Sequence, residues 1–169
     1  MNVGGRVSQV SVLMGSDSDF VIMSKAVDIL KQFDVTYEVA VASAHRTPDL
    51  VAELVRSAPE RGVSVFIAGA GMAAALPGVV AAYTTLPVIG VPLSGSALQG
   101  TDALYAIVQM PPGIPVATVG IDAATNAGLL AVQLLALSNT DLAERLVAYR
   151  RNMATGVLEK SRAIQEKST

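Results

Sequence analysis

The chain is predicted to be an α/β protein, a five-stranded parallel sheet with helices on both faces. Three observations carry that expectation. Short apolar, β-branched runs recur five times along the 169 residues, and turns rich in glycine, serine or proline lead from them into helical patterns. The third run, Val63–Ala68, shows no polar alternation, as a strand covered on both faces requires. The middle of the chain is almost uncharged: of 12 basic and 14 acidic side chains, only Asp102 and Asp122 fall between Gly62 and Thr140. Glycines and prolines interrupt that block too often for a membrane helix of about 20 apolar residues, which leaves a buried sheet.

Each element follows from its residues. Gln9–Met14 (QVSVLM) is a strand, Gly15-Ser16-Asp17-Ser18-Asp19 a turn, and Phe20–Phe33 a helix. Serine and aspartate are good N-caps, so capping is the first reading of this turn. Glycine followed by free amides at a helix start also suits an anion or sugar hydroxyls. Thr36–Ala42 is the second strand and ends directly in Ser43-Ala44-His45-Arg46. Thr47 is expected to cap a helix whose first residue is Pro48, where a missing N–H costs nothing. Leu50, Val51, Leu54, Val55 and Ala58 give that helix its apolar stripe.

The third strand runs into Gly69-Ala70-Gly71-Met72-Ala73-Ala74-Ala75-Leu76-Pro77-Gly78. A dinucleotide fingerprint would have this G-x-G-x-x-A pattern, but it also wants an acidic residue about 20 positions on, and none stands there. The small residues point instead to close approach of a ligand or another subunit to the backbone. Pro87–Val91 is the fourth strand, Leu93–Gly100 a loop, Thr101–Gln109 a helix, Met110–Gly113 a turn and Ile114–Val119 the fifth strand. Asp122 is expected to cap the apolar helix Ala123–Leu137. A last helix, about Asp141–Gln165, has apolar residues at mixed spacing among many charges. It is read as lying across a neighbouring subunit, with packing on its own domain equally allowed. No repeat or linker occurs, so a single domain over residues 1–169 is expected, with its core at about 9–137.

Composition narrows the function. A net charge of −2, a pI near 5.3 and no basic run exclude the electrostatic footprint of a nucleic-acid binder, so a small-molecule ligand is expected. Without cysteine and with a single histidine, a disulfide framework and the usual zinc and iron–sulfur sites are excluded. A reducing cytoplasm fits, and Met1–Ser8 lacks the apolar core of a secretory signal. The mass allows about 69% of the unfolded chain's surface to be buried. With 51% hydrophobic residues and a mean hydropathy of +0.50, some apolar faces are expected to meet other subunits, making a homo-oligomer.

His45 is the first candidate for proton transfer, because imidazole is the side chain whose ordinary pKa, about 6.5, lies near neutrality. A lone histidine at a helix start is often an ordinary surface residue. Its place at the carboxyl end of a strand, with Arg46 beside it, favours function. Arginine beside two serines and helix-start amides suits a phosphate, and a carboxylate such as Asp19 can accept from both hydroxyls of a ribose.

Six stretches in order, Met14–Asp19, Ser43–Pro48, Ala68–Gly71, Ala74–Gly78, Pro87–Pro92 and Ile107–Pro111, together resemble the N5-carboxyaminoimidazole ribonucleotide mutase family of purine biosynthesis. The similarity spans about Gln9–Leu137. The resemblance implies a flavodoxin-like three-layer sandwich, a homo-octamer with active sites at subunit junctions, a ribonucleotide substrate, and no metal or organic cofactor. It implies a functional link to the ATP-dependent carboxyaminoimidazole ribonucleotide synthetase. By the same resemblance Ser16, Ser43 and Arg46 are phosphate ligands, Asp19 the ribose-hydroxyl acceptor and His45 the acid–base residue. Gly71 and its neighbours Met72, Ala73, Ala75 and Leu76 lie around the base and the migrating carboxylate, and Asp17 and Ala44 complete the binding set.

One departure stands out. The mutase pattern has a histidine where this chain has Ala75, and a glycine where it has Met72. Direct carboxylation of aminoimidazole ribonucleotide by CO2 is therefore an alternative, although the related carboxylases usually have lysine at the Arg46 position. A non-catalytic or other-substrate ribonucleotide-binding paralogue is another. A signalling receiver domain fails on its residues, because no aspartate ends the third strand and no lysine follows the fifth.

Overall fold

A computed structural model describes residues 8–168. The expectation about a leader segment rests almost wholly on residues 1–7, which lie outside the described residues. Five parallel strands, β1 (Val10–Met14), β2 (Tyr37–Val41), β3 (Val65–Gly71), β4 (Val88–Leu93) and β5 (Ala117–Thr118), form one sheet in the order β2-β1-β3-β4-β5. The helices are α1 (Phe20–Gln32), α2 (Pro48–Arg56), α3 (Leu76–Ala82), α4 (Thr101–Val108), α5 (Ala124–Ala136) and α6 (Thr140–Lys167).

Alternation along the central strands builds the layers. Val12, Met14, Ile67, Ile89 and Val91 face α1 and α5, whereas Leu13, Phe66, Ala68 and Val88 face α2, α3 and α4. With helices on both faces, the central strands β1, β3 and β4 are buried on both sides. The two helices on the first face lie close: a Cβ on Gly128 of α5 would come within 2.9 Å of the Ala26 carbonyl of α1, so no larger residue fits.

The strand order reverses between β1 and β3. β1 pairs with β2 on one side and with β3 on the other, and the chain leaves the sheet in opposite directions from this point. In open parallel sheets that switch opens a crevice at the carboxyl ends of the strands, where ligands bind.

Several boundaries differ from expectation. β3 begins at Val65, two residues after its anticipated start, and runs on to Gly71, because Ala70 and Gly71 pair with Pro92 and Leu93 of a β4 that is also extended. The small-residue stretch is thus partly strand, and its far end begins α3. β5 is only two residues long: Pro115 has no N–H to give a ladder, and the strand lies at the sheet's edge. Thr47 does stand at the N-cap of α2 with Pro48 in the first turn, but its hydroxyl does not cap. It accepts from Ser43 N–H and donates to the Ser43 carbonyl, closing the loop onto itself. Asp122 does not cap α5 either. Its φ is +56°, and its Oδ1 accepts from Ser94 N–H across the β4–β5 edge.

α6 packs on the rest of the chain over its first turns only. Leu142 is buried, Leu146 and Tyr149 rest against the α1–α5 layer, and the Phe33 and Tyr149 rings sit 5.6 Å apart. Beyond them Met153, Val157, Leu158 and Ile164 are exposed. Among the described residues no helix is long and apolar enough to cross a membrane.

Candidate active site

The first wall of the crevice is the turn after β1. Ser16 is the N-cap of a short 3-10 turn over Asp17–Asp19, and the two ends close reciprocally. Ser16 Oγ accepts from Ser18 N–H, and Asp19 Oδ2 accepts from Ser16 N–H at 3.0 Å. This is a capping box drawn into three residues, so the capping role expected of the turn is realised. The Asp19 carboxyl is held above the usual carboxylate range. Burial is the dominant cause, and it outweighs the N–H groups of Ser16 and Gly15 and the field of Arg46. Asp17 stays exposed and accepts from Ser16 Oγ at 3.1 Å and Ser18 N–H at 3.0 Å.

The second wall is the loop after β2. Ser43 Oγ accepts from both the backbone N–H and Nε of Arg46, each at 3.3 Å. The far end of the same guanidinium donates to the Gly15 carbonyl at 2.7 Å. Arg46 therefore ties the β1 and β2 loops together across 31 residues of sequence. His45 next to it is exposed and faces the crevice.

The third wall is the loop between β3 and α3. Met72 at φ +57° and Ala74 at φ +40° both occupy the left-handed region that residues with a Cβ avoid. Such residues cost on the order of 1–3 kcal/mol each and persist where surrounding structure imposes them. Ala74 N–H donates to the Gly71 carbonyl, which tightens the turn. Met72 is 65% exposed.

These loops enclose a cleft of about 610 Å³. Of the residues predicted to form the site, Ser16, Asp19, Ser43, Ala44, His45, Arg46, Gly71, Met72, Ala73, Ala75 and Leu76 all line it. Asp17 does not. It faces a smaller adjoining cleft of about 380 Å³, shared with Gly15, Ser16, Val41, Ser43, Arg46 and Thr47. Ser18, Ala70 and Ala74 also line the main cleft, all within stretches already singled out. Leu93 and Gly95 line it too and were missed. Their signal was positional: they follow β4, at the carboxyl edge that the topology rule marks.

The cleft offers a guanidinium and hydroxyls at one end, an imidazole beside them, one carboxylate and an apolar shelf of alanines. That is a site for a small phosphorylated ligand, and its volume suits one. Among the described residues no group of three or more acidic or histidine side chains is placed to hold a metal.

The sequence model described as AIR carboxylase matches residues 9–156. The chain belongs to the AIR carboxylase family. It is 56% identical over 145 residues to an N5-carboxyaminoimidazole ribonucleotide mutase of Pyrococcus abyssi, covering 86% of this chain and 83% of that one. It is 52% identical over 157 residues to a phosphoribosylaminoimidazole carboxylase of Candida albicans, covering 93% of this chain but 28% of that longer protein. The crystal structure of Treponema denticola PurE superposes with a TM-score of 0.82 at 30% identity, covering 89% and 94% of the two chains. The five-stranded order and the flanking helices of this AIR carboxylase family member are thus those of a solved relative, as its sequence motifs implied.

Proposed function

We infer that the chain is an N5-carboxyaminoimidazole ribonucleotide mutase, an isomerase of purine biosynthesis that moves a carboxylate from an exocyclic nitrogen to a ring carbon. The observation that carries this is the convergence of His45, Arg46, Asp19 and the Gly71–Leu76 loop on one cleft, in a chain about half identical to mutases over most of its length.

In this reading Arg46, Ser16 and Ser43 take the substrate phosphate through charge-assisted bonds, with Asp17 beside them in the adjoining cleft. Asp19 accepts from the ribose hydroxyls. Ala44, Gly71, Met72, Ala73, Ala75 and Leu76 surround the base and the migrating group. His45 gives a proton to the exocyclic nitrogen as its bond to the carboxylate breaks and CO2 leaves. The enamine-like ring carbon then attacks that CO2, and His45 takes the proton the carbon loses, so protons and electrons balance. The chemistry asks for no metal or organic cofactor, because the ring itself supplies the electron pair and nothing is oxidised.

The same reading places the chain as one domain over residues 1–169 in a cytoplasmic homo-octamer, downstream of the ATP-dependent synthetase that makes N5-carboxyaminoimidazole ribonucleotide. The exposed Met153, Val157, Leu158 and Ile164 of α6 support its docking on a neighbouring subunit. A second reading, direct carboxylation of aminoimidazole ribonucleotide by CO2, is favoured by Ala75, which can neither donate a hydrogen bond nor carry charge.

The deciding assay compares wild type, His45→Asn and Ala75→His with N5-carboxyaminoimidazole ribonucleotide, and with aminoimidazole ribonucleotide plus bicarbonate. The wild type is expected to be a weak mutase or to prefer the second substrate pair. Ala75→His should raise mutase turnover, and adding Met72→Gly should help by relieving the left-handed backbone. His45→Asn should lose about 10²–10⁴ in turnover while retaining affinity. Full mutase turnover in the wild type with a loss in Ala75→His would overturn the role given to position 75. An active His45→Asn protein would remove His45 from the mechanism.

A further inference from the structure

Asp102 and Asp122 are the two charged side chains between Gly62 and Thr140, and one loop engages both. That loop joins β4 to α4, and Leu93 at the end of β4 and Gly95 in the loop both line the cleft. Asp122 comes from the far side, after β5. Its N–H donates to the Pro92 carbonyl and its Oδ1 accepts from Ser94 N–H, both at 2.9 Å. One residue therefore grips the backbone on either side of Leu93. From the first turn of α4, Asp102 Oδ1 reaches back over the loop and accepts from Ser96 Oγ at 2.9 Å. Beyond Ser96 the loop turns into α4 through Gln99 N–H to the Ser96 carbonyl and Thr101 N–H to the Leu98 carbonyl, and the Leu98 side chain is 63% exposed.

The grip has an evident backbone requirement. At φ +56° position 122 accepts glycine, asparagine or aspartate with least strain, but of these glycine has no acceptor for Ser94. The neighbouring Ile121 presses on the same loop, where a Cβ on Gly100 would meet its Cγ2 at 2.7 Å. β5 is too short to hold this junction by its ladder, as Ala117 and Thr118 alone pair with β4.

We propose that Asp122 is a positioning residue for the reaction: through Ser94 N–H it fixes Leu93 and Gly95 as a wall of the substrate cleft, and Asp102 holds Ser96 on the other side of Gly95. This rests on the mutase reading of that cleft.

The test uses the intact oligomer and two variants that both tolerate the backbone. Asp122→Gly removes the acceptor, whereas Asp122→Asn keeps it. Melting temperature, amide exchange at Ser94, and KM and kcat with both candidate substrates are measured together. Asp122→Gly is expected to expose the Ser94 amide to exchange and to raise KM about three- to tenfold with kcat within about twofold, the loss of one hydrogen bond's worth of positioning. Asp122→Asn should restore both. Wild-type KM in Asp122→Gly, or equal damage in Asp122→Asn, overturns the proposal. Should Asp122→Gly not fold, Gly95→Ala decides: its Cβ meets nothing within 4 Å and its backbone is not left-handed, so it spares the fold. A raised KM there supports the wall, and unchanged kinetics overturn it. No turnover by the wild type with either substrate overturns the mutase reading alone. The clamp is then decided by Ser94 exchange and by calorimetric binding of aminoimidazole ribonucleotide to the same variants.

Discussion

Arg46 and Arg61 are both held by hydrogen bonds to neighbouring residues, yet they do opposite work. Arg61 is engaged at all three of its nitrogens. Nε and Nη2 donate to the two oxygens of Glu38 at 2.9 and 2.8 Å, Nη2 also donates to the Leu54 carbonyl, and Nη1 to Ser57 Oγ. Arg46 has only uncharged partners, the Gly15 carbonyl and Ser43 Oγ, and forms no ion pair among the described residues. The first guanidinium joins β2 to the turn before β3, and its charge is already met by the Glu38 carboxylate. The second lies in a cleft with its charge uncompensated at contact distance, so an incoming phosphate can replace weak neutral partners by strong ionic ones. Partner chemistry, more than residue type or exposure, separates a structural arginine from a functional one.

Exchanging the two roles should produce opposite phenotypes. The largest effect is expected at Arg46. Arg46→Ala should lose a charge-assisted contact of about 1.5–3 kcal/mol and raise the substrate constant by one to two decades. The melting temperature should stay near wild type, and the dephosphorylated nucleoside should bind both forms equally. Unchanged ribonucleotide affinity by titration calorimetry would break the comparison.

A smaller effect, on stability alone, is expected from Glu38→Gln. The Arg61 guanidinium is the main cause holding the Glu38 carboxyl below its ordinary value of 4.5. A lowered folded-state pKa means that ionised Glu38 favours the fold at neutral pH. That contribution is lost as pH falls from about 4.5 through the folded value. The pair is partly exposed, with side chains 31% and 25% accessible, so the loss at neutral pH should be about 1–2 kcal/mol. Denaturant unfolding should show the gap closing in acid. A gap that persists at low pH would assign it to packing.

The smallest effect has the opposite sign. The Asp19 carboxyl is raised above 3.8 by burial, so its ionised form weakens the fold. The favourable contribution of its neutral form is complete below about 3.8 and is lost as pH rises through the folded value. Asp19→Asn keeps an acceptor for Ser16 N–H and should melt at or slightly above wild type at neutral pH, with no difference in acid. Its substrate affinity should fall. A variant that is less stable at neutral pH would show that the capping contact matters more than the buried charge.

The sequence by itself determined the layer architecture, because the strand and helix periods and the uncharged central block admit few other arrangements. It also determined which loops carry the chemistry: Ser16, Asp19, Ser43, His45 and Arg46 follow β1 and β2 directly, and the ends of parallel strands share one edge. Tertiary structure decided what depends on contacts remote in sequence. Arg46 reaches Gly15 and Asp122 reaches Ser94 across the fold, so neither bond leaves a local pattern. Local capping rules read Asp122 and Thr47 as helix caps, but in the fold an N–H across the sheet edge claims the first and the Ser43 backbone the second. Leu93 and Gly95 became wall residues only when β4 was placed beside β3, because a lining residue is defined by what stands opposite it.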